Sequence, residues 1–64
     1  MYSNYVILRY NSKKQLCLLV AYDRPIEAME EYNRLKQYYH GCNCKIQLKY
    51  ANNNIVYTID ETIV

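Results

Sequence analysis

The residues of this chain best suited to chemistry are soft metal ligands. His40-Gly41-Cys42-Asn43-Cys44 sets an imidazole and two thiols close together, and Cys17 supplies a third thiol from elsewhere. Zinc takes thiolate and imidazole at tetrahedral geometry. The spacing is poor for it, because there is no pair of cysteines separated by two residues, and cysteine often serves as a small buried hydrophobe. Cys17, His40, Cys42 and Cys44 therefore form only a weak metal candidate, and no cofactor is expected. Cys42-Asn43-Cys44 is no better as a redox pair. Such chemistry uses two intervening residues at a helix N-terminus, where thiolate is stabilised, whereas these cysteines follow a helix. Catalysis has little to stand on: with one histidine and no serine or carboxylate spaced to reach it, the expectation is a protein that is not an enzyme. Gly41 alone builds no phosphate-cradling loop, and no small-molecule substrate is expected.

Nine tyrosines without Phe or Trp raise a second possibility. Bases stack on exposed aromatics beside a basic groove, and Tyr5 with Lys45 and Lys49 is the set that could do this. Strand parity, however, turns Tyr10, Tyr22, Tyr50 and Tyr57 toward the core. Tyr32 and Tyr39 lie on the helix stripe, and only Tyr5 and Tyr38 clearly point outward. Single-stranded nucleic acid is accordingly the alternative partner rather than the first.

These side chains are positioned by five hydrophobic patterns in the order ββαββ. Residues 4–10 alternate, with Val6, Leu8 and Tyr10 on one face and Tyr5, Ile7 and Arg9 on the other. Asn11-Ser12-Lys13-Lys14 is a turn. Residues 15–22 set Leu16, Leu18, Val20 and Tyr22 against Cys17, Leu19 and Ala21, and the two runs read as a hairpin. Asp23 as cap and Pro25 in the first turn start a helix. Its stripe is Ile26, Met29, Tyr32, Leu35 and Tyr39, with Ala28 beside it. Glu30 and Arg34 form a favourable pair, and Gly41 is placed for a left-handed cap. Residues 44–50 alternate Cys44, Ile46, Leu48 and Tyr50 with Lys45, Gln47 and Lys49. After the turn Ala51-Asn52-Asn53-Asn54, residues 55–60 put Ile55, Tyr57 and Ile59 inward and Val56, Thr58 and Asp60 outward. Ile63-Val64 extends that strand or frays.

The predicted fold is α+β: one helix on one face of a four-stranded, mainly antiparallel sheet, as a single domain over residues 1–64. A right-handed crossover beside the first strand favours the order 2-1-3-4, with 3-4-1-2 the other arrangement. One helix leaves one sheet face bare. On the third and fourth strands that face is polar. On the first two it reads as Tyr5, Ile7, Arg9, Cys17, Leu19 and Ala21, an apolar set wetted only by Arg9 and Gln15. Monomers rarely leave such a patch uncovered, and the second strand is also an open edge. These six residues are the predicted protein interface, for a partner or for a second copy.

The bulk numbers limit other classes. A net charge of +2, from eight basic and six acidic residues, implies no electrostatic partner by itself. No apolar run approaches the roughly 20 residues that span a bilayer. Met1-Tyr2-Ser3-Asn4 lacks the basic region of a signal peptide, and an odd cysteine count suits a reducing compartment, so a cytoplasmic protein is expected. Asn, Tyr, Ile and Lys make up 27 of 64 residues, a bias toward AT-rich codons. The most concrete expectation is a phage- or mobile-element-type inhibitor or regulator of a host protein. A homodimeric structural protein is a further alternative.

Overall fold

The computed structural model describes residues 4–64. Met1-Tyr2-Ser3, read above for a leader, lie outside the described residues. The chain forms β1 (Tyr5–Tyr10), β2 (Leu16–Tyr22), α1 (Pro25–Tyr38), β3 (Lys45–Asn52) and β4 (Ile55–Ile63). The four strands make one sheet in the order β2-β1-β3-β4, with every neighbouring pair antiparallel. This is the crossover that slots β3 beside β1. The helix packs on β1, β2 and β3.

Local chemistry explains the connections. In the β1–β2 turn, Asn11 accepts on Oδ1 from the amides of Lys13 at 2.9 Å and Gln15 at 3.0 Å, which holds Lys14 at φ 65°. The β3–β4 turn is tighter than the four residues expected. Ala51 and Asn52 stay paired in β3, and Asn53 takes the left-handed conformation at φ 53°, as asparagine tolerates. At the helix start the capping residue is Arg24 rather than Asp23, and it makes no side-chain cap bond. Arg24 is extended because Pro25 disfavours helical geometry before it. At the other end the Tyr39 amide donates to the Leu35 carbonyl at 2.9 Å, and Gly41 turns the chain at φ 84°.

The core lies between α1 and the sheet: Ile7, Ala28, Tyr32, Leu35, Cys44, Ile46 and Leu48 are buried. This corrects several sequence expectations. Ile7 is wholly buried, so β1 carries Tyr5, Ile7 and Arg9 toward the helix and leaves Val6, Leu8 and Tyr10 on the open face. The expected parity was the reverse. In β2, Leu18, Val20 and Tyr22 pack on the core as expected, but Arg9 pairs with Leu18 and Tyr10 with Leu16. Cys17 is thus an extra residue at a bulge, and Leu16 pairs with Tyr10 and is exposed. A second bulge at Ile59 puts Asp60 opposite buried Leu48, on the helix side rather than outward. The helix stripe narrows to Ala28, Tyr32 and Leu35 with half-buried Tyr39, while Ile26 is 72% exposed and Met29 is also open. Finally, Arg34 pairs with Glu31, not Glu30, through two contacts of 2.6 Å.

Candidate functional site

Cross-strand register arranges the open face in three rows. Ala21, Val6, Lys49 and Thr58 form one, Leu19, Leu8, Gln47 and Glu61 the next, and Leu16, Tyr10, Lys45 and Ile63 the third. The face is therefore divided. Its β2–β1 half is apolar, with Leu19 58% exposed directly opposite half-buried Leu8. Its β3 half carries Lys45 and Lys49. Between the two, Tyr10, Asn11, Lys14, Lys45, Gln47 and Lys49 line an open cavity of about 260 Å³.

Of the six residues expected to form the interface, Leu19, Ala21 and Cys17 are exposed and Ile7 is in the core. Tyr5 and Arg9 are half-buried on the helix side. Tyr5 belongs to a cross-strand row with Tyr22, Tyr50 and Tyr57; its ring lies 5.2 Å from that of Tyr50, which is 5.4 Å from that of Tyr57. Arg9 lies under the helix end with its guanidinium 4.2 Å from the Tyr39 ring centroid, a cation–π contact. Its Nε is buried without a hydrogen-bond acceptor among the described residues. Burial pulls the Arg9 pKa down, but nearby Tyr39, Cys44 and Cys17 outweigh it and hold the pKa above the ordinary value.

The nucleic-acid set is regrouped in the same way. Lys45 and Lys49 share the open face, but Tyr5 is on the other side of the sheet. Tyr10 takes its place, with Lys45 Nζ 6.0 Å from its ring. Leu8 and Tyr10 belong to neither set expected from sequence, because the expected parity of β1 turned them inward. Asn11 caps the turn that carries Lys14.

The metal candidates do not converge. Cys44 is buried, Cys17 and Cys42 are exposed, and His40 is exposed beyond the helix end. Among the described residues no three His, Cys, Asp or Glu side chains come together at metal-holding distance. The Arg9 cation beside Cys44 and Cys17 also opposes a second cation there. No helix among the described residues is long and apolar enough to cross a membrane. Comparison of the chain with protein-family models, curated proteins and solved structures finds no match.

Proposed function

We propose that this chain is a small non-catalytic binding module that docks a protein partner on the apolar half of its open sheet face. It would act as an inhibitor or regulator of that partner in a reducing cytoplasm. The observation that carries this reading is the Leu8–Leu19 pair, flanked by Val6 and Ala21 in one neighbouring row and by Leu16 in the other, on a face no helix covers. Removing apolar surface from water contributes roughly 25 cal/mol per Å², so a partner that covers this half is stabilised without any ionic contact. The chain's free thiols at Cys17, Cys42 and Cys44 fit a reducing environment.

The test is a paired substitution chosen by the observed parity. Leu8→Lys with Leu19→Lys charges the face without entering the core and is expected to keep the wild-type circular dichroism while losing partner capture from host lysate at moderately high salt. Ile7→Lys is expected to unfold the chain, because an unpaired ammonium replaces a wholly buried side chain. Undiminished capture by the folded Leu8→Lys/Leu19→Lys variant rules the reading out. Loss of self-association only, seen as a dimer mass that falls to monomer in the variant, assigns the face to a homodimer instead.

A further inference from the structure

We infer that the basic half of the open face is a single-stranded nucleic-acid site, with the cavity beside Tyr10 receiving an unstacked base and the lysines around it holding the backbone. This site adjoins the apolar half but does not depend on what docks there. Three ammonium groups surround the cavity, those of Lys14, Lys45 and Lys49. None is ion-paired among the described residues, where the salt bridge formed is Arg34–Glu31 on the helix. The Glu61 carboxylate, opposite Gln47 on β4, accepts a hydrogen bond from the Gln47 amide at 2.6 Å. The recess thus sets three lysines against this carboxylate and is net positive.

Geometry selects the class of anion. Lys45 and Lys49 stand on the same face of β3, four residues and hence about 13 Å apart along the strand. With their stems rooted that far apart, the two lysines can engage successive anionic groups repeated along a chain. Lys14 is brought in from the β1–β2 turn, whose Asn11 hydrogen bonds fix it at φ 65°, so the backbone that carries this side chain is set before any ligand arrives. The aromatic component is Tyr10, half-buried at the cavity wall beside Lys45. A base splayed from a single strand can reach that ring, but a base inside a duplex stack cannot. The two amides of the cavity, Asn11 and Gln47, are already bonded to Gln15 and Glu61. Because backbone charge and ring stacking carry little sequence information, binding is expected to be tolerant of sequence.

The experiment is fluorescence anisotropy of labelled oligo(dT) of 15 nucleotides, titrated with the full chain between low and moderate salt. Wild type is expected to bind with a slope of log affinity against log salt near −2, since each phosphate contact on a single strand contributes about −0.7. Lys45→Gln with Lys49→Gln should flatten that slope to roughly −0.7 by the same relation. Lys14→Gly, which removes the charge and suits the left-handed backbone, should flatten it by one contact without loss of thermal stability. Tyr10→Leu should weaken binding at least about fivefold while leaving the slope unchanged, because stacking releases no counterions. Leu8→Lys/Leu19→Lys should not weaken it, which separates this site from the protein-docking half. The inference is overturned if wild type fails to bind oligo(dT) at low salt, or if a 15-base-pair duplex or polyglutamate competes as well as the single strand. An unchanged slope in both lysine variants also overturns it.

Discussion

At the scale of single residues, Tyr32 does more for this small fold than its area suggests. It is buried at 1% exposure on the helix, and its hydroxyl donates to the Ile46 carbonyl of β3 at 3.5 Å and shares a 3.1 Å hydrogen bond with Thr62 of β4. One phenol thereby joins three elements. Tyr32→Phe removes the shared bond and strands the Thr62 hydroxyl, which should lower unfolding stability by about 1 kcal/mol in urea titrations at neutral pH. Burial holds the Tyr32 pKa above the ordinary tyrosine value, and nearby Asp60 adds to this while the Thr62 bond opposes it. A raised folded-state pKa contributes stability that is complete below the unfolded pKa and is lost as pH rises through the folded one. The gap between wild type and Tyr32→Phe should therefore narrow in the alkaline limb, and a gap that widens there would contradict the assignment. Arg9 shows the converse economy. A cation on a central strand suits the outward face expected for it, yet Arg9 lies on the helix side under the Tyr39 ring, and the parity expected for the whole strand is reversed with it.

That error defines what was legible at the scale of elements. The strands, the helix and their order follow from alternation and from the Tyr32–Leu35–Tyr39 spacing, because each rests on contrast between apolar and polar positions. β3 was assigned to the correct face since Lys45, Gln47 and Lys49 alternate with Ile46 and Leu48. β1 offers no such contrast: Val6, Leu8 and Tyr10 are as apolar as Tyr5 and Ile7, so either parity buries a similar amount of surface. The bulges at Cys17 and Ile59 were invisible because an extra residue depends on the partner strand and not on the strand itself. The open apolar face was therefore foreseen, but with half of its residues exchanged. The helix provides a test of local electrostatics at this scale. Arg34 grips Glu31 with two charge-assisted bonds, and these, aided by the nearby Tyr22 hydroxyl, hold the Glu31 pKa below the usual carboxylate value against the effect of burial. A depressed pKa contributes stability above the unfolded pKa that is lost as pH falls through the folded one. The pair is solvent-exposed on the Arg34 side, so the effect is small. In carboxylate NMR titrations, Arg34→Ala should raise the Glu31 pKa toward the ordinary value. No movement at Glu31 would show that the contact does not form in solution.

At the scale of the whole molecule, the one-helix architecture leaves β4 outside its protection. The helix spans β1, β2 and β3, while Ile55, Val56, Tyr57 and Ile59 of β4 are all exposed. Among the described residues β4 pairs with β3 alone, and its other edge is open. What ties it down lies toward its C-terminal half: the Tyr32–Thr62 bond, Val64 packed on the core, and the Val64 amide donating to the Cys44 carbonyl at 2.9 Å. The N-terminal half of the strand is held, among the described residues, by its ladder to β3 and the Tyr50–Tyr57 ring contact. Opening free energies track such differences in burial and tethering. Native-state hydrogen exchange should thus find the slowest amides among those of β1 and β3 that pair within the sheet, near Ile7, Ile46 and Leu48. Amides of 55–59 that bond to β3 should exchange well before those of 60–63, with the Ile59 bulge as the divide. Uniform protection across β4 would mean that the strand unfolds only with the core, and would point to a covered outer edge in solution. Early exchange confined to 55–59 would leave β1 and β3 as the rigid platform beneath the open face, the part of the fold on which both proposed binding surfaces depend.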